Sequence, residues 1–347
     1  MIKQDNVFSV LDFLQKKPES SSSEIYEGVN ATMSYASVKR LITQLVMGNT
    51  VVAIGNGRGT KYKISLHFQI LGSVNINKYF EKEIDERIIK KSFNFDLIKT
   101  ILTSITIFDD SEKHRLNLLQ DRFKKNIAEL STFEYDKELE RLAIDLSWKS
   151  SQIEGNTYSL LETEYLLKEQ KTAFGKTKDE ATMLLNHKEC IDFVVENKDY
   201  LHPLTVSRIE DVHSILMKDL GIQRNIRIRK VGISGTNYTP LDNEHQIREA
   251  LRDMCDLINT KKSVFDKAFL SLLLLSYIQP FTDGNKRTAR IVSNALLMVN
   301  DYCPISFRTI EPIEYKKAML IFYEQNNLHA MKKIFINQFD FAVNTYF

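Results

Sequence analysis

Residues Gln279–Arg290, QPFTDGNKRTAR, place three cations, Lys286, Arg287 and Arg290, one carboxylate, Asp283, and two residues that interrupt regular backbone, Pro280 and Gly284, within a dozen positions. Upstream, Ala268–Ile278 is too apolar for a surface helix and stops against Pro280, which cannot continue it. Helical character resumes from Asn285 to Val299, so the three cations fall in its first turns. Cations are misplaced there: the free amides and the positive end of the helix dipole repel them and attract phosphate. An anion held between amides and side chains resolves the conflict, and Gly284 lets the backbone approach it closely. Asp283 beside a phosphate is then most simply a ligand of Mg2+ bridging to phosphate oxygens. A loop between two core helices, with its arginines paired to surface carboxylates, fits the same spacing.

A second constellation lies earlier. Leu139, Leu142, Leu146 and Ile153 form one apolar helical stripe, yet Ser150 and Glu154 fall on or beside it. A carboxylate on the inner face of a helix needs a cation from elsewhere in the fold. The alternative is a helix end at which Glu154 reaches water beside Gly155, a helix stop. A third segment, Val231–Pro240 (VGISGTNYTP), reads as two short extended stretches around Gly235, a hairpin with an edge free to pair.

The first segment resembles the signature of the Fic (filamentation) family, His-Pro-Phe-x-Asp-Gly-Asn-(Gly/Lys)-Arg-x-x-Arg, matching it at Pro280, Phe281, Asp283, Gly284, Asn285, Arg287 and Arg290. The resemblance implies a mainly α, Fic-type helical domain with a small β-hairpin flap, and transfer of AMP from ATP to a Ser, Thr or Tyr hydroxyl of a target protein. It assigns Mg2+ to Asp283, the α and β phosphates to Asn285 and the amides around Gly284, and the remaining phosphate charge to Arg287 and Arg290, with Lys286 beside them. One departure stands out. The family's catalytic histidine is replaced by Gln279. A carboxamide has no proton that titrates near neutral pH, so Gln279 orients a hydroxyl but does not deprotonate it. Positioned general bases contribute roughly 10²–10⁴-fold, so an impaired transferase that still binds nucleotide follows. Another residue acting as base stays open; His187, His213 and His245 lie elsewhere in sequence.

Ser150, Glu154 and Gly155 are likewise similar to the inhibitory motif (Ser/Thr)-x-x-x-Glu-(Gly/Asn) of self-restrained Fic proteins. The resemblance implies that Glu154 occupies the fork of Arg290 that a γ-phosphate would use. In the same family the flap, here Val231, Gly232, Ile233, Ser234, Gly235, Thr236, Asn237 and Tyr238, receives the target as an added strand. The resemblance also leaves room for a homodimer, which no residue here identifies.

These segments need a scaffold, and the chain of 347 residues has length for a sizeable core and two domains. A net charge of +2 gives no global attraction to nucleic acid, so any such binding must be local. No apolar run is long enough for a bilayer, the N-terminus lacks a signal-peptide core, and a cytoplasmic protein is expected. Cys190, Cys255 and Cys303 are scattered, without metal-ligand spacing, as reduced core thiols would be.

The first 66 residues read differently from the helical remainder. Helices at Asn6–Gln15, Ser22–Val29 and Ser34–Met47, then strands at Thr50–Ile54 and Lys61–Ile64, give a winged-helix order. Its third helix would present Tyr35, Ser37, Lys39, Arg40 and Gln44 to the major groove of DNA, and its wing Arg58, Lys61 and Lys63 to phosphates. Winged helices also serve as protein-docking modules. The expected organisation is therefore a winged helix at 1–66, a helical connector at 67–110 and a Fic-type domain at 111–347, whose inhibitory helix occupies about 137–155. A non-enzymatic alternative has the nucleotide-sensing domain regulating DNA bound by residues 1–66.

Overall fold

The structure, a computed structural model, describes residues 4–29 and 33–347. The chain forms two compact units: the part up to Asn75 together with Gln325–His329, and Ile76–Glu324 together with Ala330–Phe347.

The first unit runs in the order α1 (Gln4–Lys16), β1 (Ser20–Ser21), α2 (Ser22–Gly28), α3 (Tyr35–Met47), β2 (Val51–Ile54), β3 (Lys61–Ile64) and α4 (Leu66–Leu71). The antiparallel sheet has the order β1-β3-β2. The three helices and the hairpin stand where the periodicity puts them. Ser21 and Glu24 form a capping box that starts α2, and Ser34 accepts from the Ser37 amide to start α3. Val10, Leu14, Ile25, Val38, Leu41, Ile42 and Val51 close the core. β1, at two residues, is too short for alternation to reveal. The unit also runs past residue 66, because Ser65 caps α4 and Ile70 is buried. Leu328 N–H donates to the Ile70 carbonyl at 2.7 Å, and Asn327 Nδ2 donates to the carbonyls of Gln69 (3.0 Å) and Gly72 (2.9 Å).

The second unit is helical, as expected. It opens with α5 (Ile76–Phe80), a π-helical turn at Leu97–Ile101 and α6 (Leu102–Ser104). There follow α7 (Asp110–Ala128), α8 (Thr132–Ile153), α9 (Leu160–Glu169), α10 (Lys178–Glu196), α11 (Val206–Leu216), α12 (Glu244–Thr260), α13 (Val264–Ile278), α14 (Asn285–Met298), α15 (Pro312–Gln325) and α16 (His329–Thr345). Capping boxes at Asp109/Glu112, Ser131/Glu134, Ser159/Glu162 and Thr177/Glu180 set where α7 to α10 begin. α13 is buried from Ala268 through Ile278 and packs along α14, which is how a helix apolar on every side finds a place in a fold. Among the described residues no helix is long and apolar enough to cross a membrane.

One expectation is corrected. Val231–Pro240 is not a two-stranded hairpin: it turns at Ser234–Gly235 and its single β-bridge joins Thr239 to Ser92. Backbone groups that a partner arm would need are committed elsewhere, since Gly235 C=O accepts from Arg87 (3.2 Å) and Thr239 N–H donates to Lys91 C=O (2.9 Å).

Candidate functional site

The loop between α13 and α14 is built from its own side chains. Gln279 ends α13 in the left-handed region (φ 52°), its amide donating to Leu275 C=O, and Pro280 follows. The Gln279 carboxamide is used at both ends: Nε2 donates to Ser276 C=O at 2.6 Å, and Oε1 accepts from Asn285 Nδ2 at 3.0 Å. Asn285 also laces the loop shut, its Oδ1 accepting from Phe281 N–H and its Nδ2 donating to Phe281 C=O, both at 2.8 Å. Gly284 caps α14 at φ 81°, and a Cβ there would stand 2.6 Å from Met217 Cε. The backbone angle requires glycine, while Met217 Cε, the end of a flexible side chain, could move aside from a Cβ.

His213, distant in sequence, stands behind this loop. Its ring stacks on Phe281 at 3.6 Å between centroids; Nε2 lies 2.9 Å from Asp283 C=O and Nδ1 3.2 Å from Arg224 C=O. Burial pushes its pKa down to about 4, so at neutral pH it holds one proton and works as a pin for the loop rather than as a base.

The cations of α14 converge on one carboxylate. Arg290, fully buried, donates from Nη2 to Glu154 Oε1 (2.8 Å) and Ser150 C=O (3.0 Å), and from Nε to Ser150 Oγ (2.8 Å), while its guanidinium lies over the Tyr315 ring. Lys286 Nζ donates to Glu154 Oε2 at 2.8 Å. Burial alone would raise the Glu154 pKa; Arg290 and Lys286 overturn that and hold it at about 2. Glu154 can reach them because it is the C-cap of α8, and Gly155 (φ 103°) ends that helix at once. Asp283, largely exposed, accepts from its neighbour Gly284 N–H at 2.6 Å and from Arg287 Nη2 at 3.2 Å. Among the described residues, Arg287 Nε and Nη1 and Arg290 Nη1 are buried with no hydrogen-bond partner. His187 is fully buried against these two arginines, kept neutral by burial first and then by their charge.

Gln279, Asp283, Gly284, Asn285, Lys286, Arg287 and Arg290 thus share one loop and helix start, and Ser150 and Glu154 meet them from α8, with Gly155 exposed alongside. The flap residues divide. Gly232, Ser234, Gly235 and Asn237 are exposed, and Val231, Ile233 and Thr236 half-buried. Tyr238 is buried instead: its ring stacks on Tyr277 (5.0 Å) and its hydroxyl donates to Tyr277 C=O (3.2 Å), two residues before Gln279. Lys39, Arg40, Arg58 and Lys61 belong to the first unit and are exposed on α3 and on the β2–β3 hairpin.

Sequence reasoning missed Arg227. Buried, it donates from Nε to Gln279 C=O at 2.7 Å, from Nη1 to Arg229 C=O at 2.9 Å and from Nη2 to Leu241 C=O, while its amide donates to Pro280 C=O at 2.9 Å. It fixes the loop between α13 and α14 through carbonyls, with no carboxylate ion pair among the described residues. In NIRIRKV it reads as one of several wet arginines, and nothing in the pattern separates it. Tyr315, over Arg290, was equally silent.

Comparison with known proteins follows the same residues. Residues 203–297 match the Fic/DOC family. The protein adenylyltransferase fic-1 of Caenorhabditis briggsae is 27% identical over 174 residues, covering 48% of this chain and 34% of the relative. The protein adenylyltransferase Fic of Nematostella vectensis is 28% identical over 175 residues, covering 48% and 40%. The chain therefore spans little more than a third of the length of these curated relatives. Among solved structures, Fic-1 from C. elegans superposes with a TM-score of 0.60 at 20% identity, covering 68% of this chain and 72% of that one. A Fic family protein from Desulfovibrio desulfuricans G20 gives 0.56 at 17%, covering 69% and 74%. At such identities the likeness is one of fold. The segment that matches the Fic/DOC family, residues 203–297, thus runs from just ahead of α11 through the loop at Gln279 into α14.

Proposed function

We propose that the loop at residues 279–284 and the start of α14 bind the triphosphate of ATP together with Mg2+. In this reading the chain is a self-restrained protein adenylyltransferase whose base position is weakened. The observation that carries it is the set of buried guanidinium N–H groups on Arg287 and Arg290 left without an acceptor, beside a helix N-terminus whose positive end favours an anion. The relatives' names, protein adenylyltransferase, support the same chemistry.

The reaction so assigned joins a target hydroxyl oxygen to the α-phosphorus, breaks its bond to the β-phosphate oxygen, releases pyrophosphate and passes the hydroxyl proton to an acceptor. Gln279 offers no such acceptor, and both ends of its carboxamide are already engaged. Asn285 and the amide end of α14 hold the loop that faces the phosphates; Arg287 and Arg290 take the negative charge. Among the described residues no cluster of three or more His, Cys, Asp or Glu side chains suits a resident metal. Exposed Asp283 would instead hold a Mg2+ accompanying ATP, which would supply positive charge toward the leaving pyrophosphate. Glu154 restrains the site by holding the Arg290 fork that a γ-phosphate oxygen needs.

Calorimetry with ATP and Mg2+ tests the site. Binding should weaken by about tenfold or more in Arg287→Gln, which removes a charge-assisted hydrogen bond. No measurable heat for the native chain or for Glu154→Gly at millimolar ATP rules the reading out.

A second reading, a nucleotide-sensing regulator bound to DNA through the first unit, is favoured by a separate observation. Lys39, Arg40, Arg58 and Lys61 are exposed without an ion pair among the described residues, while Lys63, also expected on the wing, is paired to Glu19. Such unneutralised charge on a helix and a hairpin of one small unit suits phosphates.

A further inference from the structure

Resting on the flap assignment above, we propose that Asp85–Ser92 is a strap seated on the flap, with Arg87 as its positioning residue, and that an extended segment of a target protein must replace it to dock. Three contacts run between the two segments. Arg87 Nη2 donates to Gly235 C=O (3.2 Å), Asn237 Nδ2 donates to Asp85 Oδ1 (2.8 Å), and Thr239 N–H donates to Lys91 C=O (2.9 Å) beside the Ser92–Thr239 bridge. The carbonyl of Gly235 and the amide of Thr239 are main-chain groups that an added strand would use on this edge, and the chain itself already holds them.

The strap is anchored independently of the flap. The other branch of Arg87, Nη1, donates to Glu324 Oε1 at 3.1 Å, with the two side chains 5% and 0% exposed, and Tyr79 Oη donates to the second oxygen of Glu324. Lys90 N–H donates to the Glu324 carbonyl at 2.8 Å. Just past the strap, Phe93 stacks on Tyr277 at 4.7 Å. Strength is therefore unevenly placed. The buried Arg87–Glu324 pair is expensive to break, while the Asp85–Asn237 tie to the flap is exposed and weak. The flap can leave the strap while the strap stays on Glu324.

Hydrogen exchange of the full chain tests this directly. Arg87→Lys with Asp85→Ala keeps a cation against Glu324 and removes two of the three ties. Exchange at Tyr238 and Thr239 should rise by about tenfold, the loss of one to two net hydrogen bonds, with α13 and α14 unchanged. If the variant loosens the whole unit, the exposed single change Asn237→Ala takes its place, with a rise confined to residues 231–240 expected. Unchanged flap exchange in Asn237→Ala and in the double variant overturns the strap and leaves the flap assignment untouched. In a Gln279→His background, incorporation of labelled AMP from ATP into lysate proteins should rise at subsaturating lysate and keep its saturating rate. A flap that opens with no gain in incorporation overturns the docking role and, with it, the flap assignment.

Discussion

Glu154 Oε1 lies 2.8 Å from Arg290 Nη2, and Arg290 is fully buried. This contact joins a helix that precedes the family-matched segment to the last arginine of the loop motif. Removing the carboxylate leaves a buried cation without its counter-charge, a loss of about 3–5 kcal/mol for such pairs. Glu154→Gln should therefore lower the melting temperature. Adding ATP with Mg2+ should recover more of it than in the native chain, because the anion meets a free fork. Thermal melts with and without nucleotide check both halves.

Stability should respond to acid in two windows. His213 is neutral in the folded chain down to about pH 4 but takes a proton near 6.5 once unfolded, so its contribution is complete above about 6.5 and fades as pH falls toward 4. Glu154 stays ionised when folded down to about pH 2, against 4.5 ordinarily; its contribution is complete above about 4.5 and fades toward 2. Glu24 and Glu180, likewise held at about 2, share the lower window, so denaturation at a series of pH values should show it shrink in Glu154→Gln while the upper one persists.

Restoring a base should restore chemistry. Gln279→His places an imidazole at a left-handed position that histidine tolerates, and the rate of AMP incorporation should rise about 10²–10⁴-fold over the native chain, further with Glu154→Gly. Single-turnover assays with labelled ATP measure it; a rate that does not move shows that some other group limits transfer.

Gly284→Ala meets chiefly a backbone obstacle, a φ of 81° costing about 1–2 kcal/mol; Met217 Cε, 2.6 Å from the new methyl, ends a flexible side chain that can yield. Pairing it with Met217→Ala should remove the clash and leave the backbone cost. Nucleotide affinity should fall in the single variant and return only partly in the double, as calorimetry would record.

If the first unit binds DNA, neutral substitution of Lys39, Arg40, Arg58 and Lys61 together should flatten the dependence of log affinity on log salt by about 0.9 for each phosphate that is no longer neutralised. Fluorescence anisotropy across a salt series separates this from a protein-docking role, for which no duplex shifts the signal.

The helical course, the first-unit hairpin and the loop cations could be read in the sequence, because each follows from local periodicity, capping or a compact motif; periodicity left Glu154 free to reach water, and only the family resemblance paired it with Arg290. Arg227, Tyr315 and the role of His213 could not: Arg227 and His213 act across 50 or more intervening residues, and all three work through carbonyls or rings that carry no side-chain signature. Tyr238 and the flap failed for a related reason. Alternation in VGISGTNYTP says which side chains oppose each other, but not that Lys91 and Arg87 already hold the backbone.

The backbone groups of Gln69, Ile70 and Gly72 are completed by Asn327 and Leu328, far downstream. A fragment cut after Asn75 would therefore carry open acceptors where the native chain has donors. Expression of the amino-terminal portion by itself should need a grafted copy of Gln325–His329, and a circularly permuted version that keeps those five residues should outlast a simple truncation.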